Sequence, residues 1–237
     1  MTSPQTSSTD SPRRRLDRPY IVQSAMSSID EHGVQALTMR RLGKELGVEA
    51  MSLYRYVSGR EDLLEAVVEA LLDGITDRID AQEPTSWQNY LQLLAHEIRK
   101  TALAHPAVFP LAASRHPAAP WLRPPLRSID LVEHFLASLT ERGFDDTHAV
   151  DAYKVFTGFL VGSLLLEAAI RGGDVAPRSE TLNEGQAAVA ETDGGLALDD
   201  APLVRRMQHR LSDDTSDQEF EIGLESLIDR IEQSVSR

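Results

Sequence analysis

Leu37-Thr-Met-Arg-Arg-Leu-Gly-Lys-Glu-Leu-Gly-Val-Glu-Ala-Met-Ser-Leu-Tyr-Arg-Tyr-Val57 is the stretch on which the fold of this 237-residue chain turns. It divides at Gly47 into two short helical patterns with almost no room between them. Leu42 and Leu46 lie four residues apart and share a helix face. Thr38 stands where an N-cap belongs, and Gly47 where a helix ends in a left-handed residue. Leu53 and Val57 repeat the spacing, which leaves Ala50, Met51, Ser52, Tyr54, Arg55 and Tyr56 on the other sides of the second helix. Two short helices joined by a glycine turn form a helix-turn-helix, whose second member fits the major groove of DNA. Seven residues at about 1.5 Å rise make a rod of roughly 10 Å, enough to reach a few base edges but too short to stand alone. The same pattern also suits a helical hairpin that only packs, so the flanking sequence decides.

The flanks supply support. Asp17 followed by Pro19 is a helix start, and Ile21, Val22, Ala25, Met26 and Ile29 form an apolar face that ends at Gly33. Ser58-Gly-Arg-Glu61 reads as a capping box. It opens a long fourth helix over about residues 59–80, with Leu63, Leu64, Val67, Val68, Leu71, Leu72, Ile75 and Ile79 facing inward. A three-helix unit over 16–62, joined by that helix to a larger body over 81–237, follows.

The net charge of −13 argues against a nucleic-acid binder until it is divided along the chain. Residues 13–60 hold nine Lys/Arg against five acids, a net of +4, which leaves −17 on the rest. A basic head on an acidic body suits one DNA-facing surface and a body that keeps off DNA. Residues 1–15 end in Arg13-Arg14-Arg15 and read either as a solubilising tail or as a basic arm that touches phosphates or the minor groove. The chain has no cysteine, so disulfides and thiolate metal sites are excluded. The amino terminus lacks the apolar run of a signal peptide. The most apolar run, Val155 to Leu166, is too short to span a bilayer, and a cytoplasmic protein is expected.

Gly33-Val-Gln-Ala-Leu-Thr-Met-Arg-Arg-Leu42, Leu46-Gly-Val48, Leu53-Tyr-Arg-Tyr-Val57 and Arg60-Glu-Asp-Leu-Leu64 together resemble the amino-terminal domain of the TetR family of repressors. The resemblance extends more weakly to Ser86-Trp87, Glu141-Arg-Gly-Phe144, Phe156-Thr-Gly-Phe159 and Phe220-Glu-Ile-Gly-Leu224, which look like landmarks of the tetracycline-repressor type of carboxy-terminal domain. It implies an all-α homodimer that binds a palindromic operator and leaves it when a small molecule enters the body. By the same resemblance Arg40 reads a base, and Ala50, Met51, Ser52, Tyr54, Arg55 and Tyr56 occupy the recognition-helix contact positions. Arg60 then meets a phosphate at the start of the fourth helix. Chemically, Arg40 can fork onto a guanine edge, Ser52 and Tyr54 can donate to phosphates, and Ala50 or Met51 suits a thymine methyl. Lys44 is open between a phosphate contact and a solvated charge. Tyr54 and Tyr56 are open between core and contact, with Tyr54 favoured as exposed because Leu53 and Val57 already fill the core. Ala50 stands where tetracycline repressors carry glutamine, so a different operator is expected.

In the body, Trp87, Tyr90, Leu94 and Ile98 begin a helix, a proline-interrupted region follows, and residues 127–142 resume helical periodicity. Trp87, Tyr90, Leu94, His105, Phe109, Trp121, His134 and Phe135 are candidates to line a partly apolar effector cavity, each against the plain alternative of core packing. The histidines have no ligand-like spacing, so neither metal nor cofactor is expected. Counted without gaps, tetracycline repressors place His, Asn and His where this chain has Thr76, Leu94 and about Ala112. Tetracycline is therefore a poor effector candidate. The apolar helix from Asp146 to Arg171 and a second from Phe220 to Val235 are read as a four-helix dimer interface through Phe156, Phe159, Leu160, Leu164, Leu224, Leu227, Ile228 and Ile231. Residues 172–200 read as a flexible acidic loop, and Pro202 to Leu211 as a short helix. Two other functions compete with a ligand-responsive repressor. An enzyme with a DNA-binding head lacks any supporting catalytic motif, and a ligand-independent architectural DNA binder is disfavoured by the long apolar body.

Overall fold

In the computed structural model, residues 15–114, 119–171 and 201–235 are described, and every regular element among them is helical. The basic arm (all but Arg15), His116-Pro117 and the acidic 172–200 segment lie outside those residues.

α1 spans Arg18–His32, with Asp17 accepting from the Tyr20 amide at 2.9 Å and Pro19 in the first turn. A 3-10 turn, Val34–Ala36, leads through buried Leu37 to α2 (Met39–Leu46) and α3 (Ala50–Leu53). α4 runs from Arg60 to Leu72. The expected single helix to residue 80 breaks here, because Gly74 adopts φ 66° and starts the separate α5, Ile75–Asp80. Ile75 and Ile79 keep their burial by turning onto α6 (Trp87–Ala104). The capping box is displaced by one residue. Gly59 occupies the N-cap without a side-chain bond, and Asp62, not Glu61, accepts the Ser58 amide at 2.6 Å.

Phe109-Pro110 does not break the chain but opens a helical turn, α7 (Phe109–Ala112), because proline is tolerated in a first turn. α8 (Ile129–Glu141) is capped by Ser128, and α9 (Asp146–Ile170) by Asp145. α10 (Pro202–Ser212) has no buried residue, and α11 (Ser216–Val235) completes the body. By length and hydropathy α9 qualifies as a membrane-crossing helix, contrary to the short-run reading, since the ordered helix extends well beyond Val155–Leu166. It packs against α6, α7, α8 and α11, as a core helix does. One hydrophobic core runs without interruption from Ile21 and Leu42 through Val68 and Leu72 to Phe156 and Leu224.

The dimer-interface residues named from sequence already pack within the chain. Phe156, Leu160, Leu164, Leu224, Ile228 and Ile231 are all buried within the single chain, where α9 meets its own α11. Phe159 stacks on Phe220 at 5.8 Å and covers Gly223, and Leu227 is half-buried on the same core. Amphipathic spacing identifies a buried face but does not say whose side chains bury it.

Candidate nucleic-acid interface and ligand cavity

The turn between α2 and α3 has the expected chemistry. Thr38 accepts from the Arg41 amide at 3.1 Å, and Gly47 sits at φ 68°, ψ 30°, the left-handed conformation that costs glycine least. Gly43 brings the helices into contact: the Val48 amide donates to its carbonyl at 2.9 Å, and a Cβ added at Gly43 would lie 2.9 Å from the Val48 carbonyl oxygen. α3 is shorter than the seven residues expected. Its four α-helical residues continue as a turn in which the Tyr56 and Val57 amides both donate to the Leu53 carbonyl.

Leu53 and Val57 are buried as anticipated, while Met51 is 75% exposed, Tyr54 46% and Tyr56 37%, so both tyrosines point outward. Arg40, Lys44 and Arg55 are exposed, Ala50 and Ser52 half-exposed. Thr38, Arg40, Lys44 and Ala50 share an open groove of about 840 Å³ with Arg41, Glu45, Val48 and Glu49. Arg41 is held by Glu45 at 2.9 Å, so Arg40 and Lys44 are the groove's cations without an acidic partner among the described residues. Arg60 is engaged within the head. Its Nε donates to the Leu37 carbonyl and its Nη2 to the Val34 carbonyl, both at 3.0 Å, fastening the start of α4 to the segment before α2.

In the body, an apolar cavity closed down to about 20 Å³ lies between α4, α6, α7, α8 and α9. Of the eight residues expected to line it, Leu94, Phe109 and Phe135 do. Four of the other five are engaged elsewhere, and the fifth is exposed. Tyr90 and His134 form a chain with Asp80, each link 3.1 Å, that ties α6, α8 and α5; burial pushes the Tyr90 phenol far above its ordinary range. Trp87 packs edge-on against Phe144, His105 bonds Asp30 of α1 at 2.6 Å, and Trp121 is 73% exposed. The rest of the lining comes largely from the inward face of α9, Tyr153, Phe156, Thr157 and Leu160, of which the sequence reading gives Phe156 and Leu160 to a dimer interface. Tyr153 donates to the Pro124 carbonyl at 3.0 Å, and burial raises its phenol to about 12. No cluster of three potential metal ligands occurs among the described residues.

Two structures join cavity and head. Leu72, the last residue of α4, is itself part of the cavity wall. Arg127, next to the lining residue Leu126, chelates Glu65 of α4 with Nε and Nη2 while its Nη1 donates to Ser114 and its amide to the Ala112 carbonyl.

An exposed helix-turn-helix braced by a helix that ends in the wall of a separate cavity defines a class: DNA-binding proteins with a built-in small-molecule compartment. The family described as bacterial regulatory proteins, tetR family, matches residues 21–67, and the tetracyclin repressor-like C-terminal domain matches residues 81–235. The chain is 28% identical to the class D tetracycline repressor protein of Escherichia coli over 216 residues, covering 90% of this chain and 88% of that protein. A possible TetR family transcriptional regulator from Streptomyces coelicolor A3(2) superposes with a TM-score of 0.70 at 30% identity, covering 92% of this chain and all of that one. A TetR variant from Acinetobacter baumannii AYE in complex with minocycline superposes at 0.66 with 25% identity, over 94% of this chain and 96% of that one. The chain belongs to the TetR family of bacterial regulatory proteins, and with it to the ligand-responsive transcriptional repressors.

Proposed function

We propose that this chain is a cytoplasmic repressor that binds a palindromic operator as a homodimer and leaves it when a partly apolar small molecule opens the cavity. The observation that carries the proposal is the course of α4. Its first residue, Arg60, holds the carbonyls that lead into α2, and its last, Leu72, lines the cavity. Thirteen residues at about 1.5 Å rise make a rod of roughly 20 Å with one end at each site. A molecule that pushes Leu72 aside tilts the rod and moves the recognition helix. Two such helices must span roughly 34–36 Å to meet successive major grooves, so a small tilt is felt twice. A coupling of about 1–3 kcal/mol is enough to release an operator appreciably. The same feature favours a ligand-responsive switch over an architectural DNA binder. The relatives are regulators, and the enzyme alternative gains no residue cluster from the cavity.

In this reading residues 16–62 form the DNA-binding unit, α4 the connector, and 81–237 the ligand and dimer unit. Arg40, Lys44, Met51, Ser52, Tyr54 and Arg55 contact DNA, while Arg60 positions the head. The dimer surface is the face of α9 and α11 left open among the described residues: Val155, Leu166, Ile170 and Ile222, with exposed Gly158 and Gly162 allowing close approach. The test begins with a duplex selected from a randomised pool by the full-length protein. Arg40→Ala and Tyr54→Ala should each weaken binding at least tenfold with an unchanged melting temperature, and Leu166→Glu should yield monomers that no longer hold the duplex. Wild-type affinity in both head variants at matched salt, or a dimeric Leu166→Glu protein, would defeat the assignment.

A further inference from the structure

Resting on the proposed repressor function, we infer that the effector is an uncharged, largely hydrocarbon or aromatic molecule. It presents at most one hydrogen-bonding group, toward Thr157 of α9, and is held without a metal ion. The side chains that surround the cavity are leucines, an isoleucine, a valine and phenylalanines, with Tyr153 and Thr157 as the two exceptions. The Tyr153 proton is already given to the Pro124 carbonyl. Thr157, buried, gives its own proton to the Tyr153 phenol oxygen, so the Thr157 oxygen is left to accept from a ligand. The lining has no carboxylate, imidazole, amide or ammonium group. An ion brought there loses its water and meets no counter-charge, and a divalent chelate finds no protein ligand.

The surface beside the cavity agrees. A polar groove of about 460 Å³ shares Leu72 and Leu131 with the cavity and carries Glu65, Glu69, Asp73 and Asp130 on its rim. Its one arginine, Arg127, is committed to Glu65. These carboxylates disfavour anions on the surface next to the apolar interior. The closed state fits the same class of ligand. Small-molecule sites usually measure about 300–1,000 Å³, so the walls must part from about 20 Å³. Apolar walls separate with few hydrogen bonds to break, and an apolar guest restores the lost contacts.

The test uses the full-length protein with naphthalene, 1-naphthol, 1-naphthoate, and minocycline with and without Mg²⁺, followed by calorimetry and by release of the selected duplex. Naphthalene and 1-naphthol should bind, and 1-naphthoate should be weaker by on the order of 100-fold. Thr157→Val should weaken 1-naphthol by about 5-fold while leaving naphthalene unchanged. Leu94→Trp, which fills the cavity, should abolish both. Equal affinity for 1-naphthoate, a Mg²⁺-dependent minocycline complex without binding of the neutral probes, or neutral binding that survives Leu94→Trp would overturn the inference. If the duplex is bound but no neutral probe binds, the ligand class fails and the repressor reading stands. If the neutral probes bind as expected but no duplex is selected, the repressor reading fails and the cavity assignment stands.

Discussion

Gly43→Ala should separate the integrity of the fold from the aim of the recognition helix. A Cβ at residue 43 would lie 2.9 Å from the Val48 carbonyl oxygen and 3.2 Å from both the amide nitrogen and the Cα of Ala50. All three are backbone atoms, so no rotamer change relieves them. Comfortable separations for such pairs are about 3.5 Å, and α3 must therefore back away from α2 by roughly half an ångström. Overpacking of this kind costs about 1–3 kcal/mol, against about 1 kcal/mol regained from replacing glycine in a helix. Net destabilisation is then at most about 2 kcal/mol, or a melting temperature lower by no more than about 8 °C. Binding suffers more. Hydrogen bonds to base edges tolerate a span of only about 2.7–3.2 Å, so a half-ångström shift removes them. Losing one bidentate contact per half-site, at about 1–3 kcal/mol each, weakens a dimer by at least about 30-fold. Fluorescence anisotropy with the selected duplex at fixed salt, paired with thermal unfolding, reads both quantities. Affinity within twofold of the parent protein, with an unaltered melting temperature, would show that the α2–α3 contact does not set the recognition helix.

Arg127→Met should strand Glu65, whose side chain is 29% exposed, and lower stability by about 1–3 kcal/mol, or roughly 3–10 °C in melting temperature. Adding Glu65→Leu should restore most of the loss, and an unchanged single variant would show that the pair carries no weight. Alkaline unfolding should reflect Tyr153. Its folded-state phenol is raised to about 12 from an ordinary 10, so the unfolded chain gives up that proton first and stability falls as pH rises from about 10 to 12. Tyr153→Phe should flatten that fall in urea titrations; an identical slope would mean that the phenol is not held neutral by the fold.

The head was legible because its signals are local. The Thr38 cap, the Gly47 turn and the four-residue leucine spacings act within one helical turn and leave little to tertiary context. The breaks were harder to see. Asp73-Gly74 interrupts an apolar series that continues correctly through Ile75 and Ile79, so periodicity hides the change of helix. Arg60 looks like any basic residue near DNA until the carbonyls of Val34 and Leu37 come within its reach. The cavity was half-read for a chemical reason. Of the aromatic and imidazole side chains expected to decorate it, Trp87, Tyr90, His105 and His134 find partners elsewhere, and leucines with Phe109, Phe135 and Phe156 enclose the space. The faces of α9 and α11 show the remaining limit. A sequence reports that Leu160 and Leu224 are covered, and only coordinates show that the same chain covers them.

The unbroken core also bears on how such a protein could be rebuilt. Val67, Val68 and Leu71 of α4 belong to the same buried cluster as Ile21 on one side and Leu94 on the other. No polar tether separates reader from sensor, so the two halves are not interchangeable parts. A chimera that grafts this head onto another body must carry matching side chains on the receiving helices, or it will expose apolar surface where the halves should meet. New sensing is then more accessible by resizing residues around Thr157 than by exchanging the sensor whole.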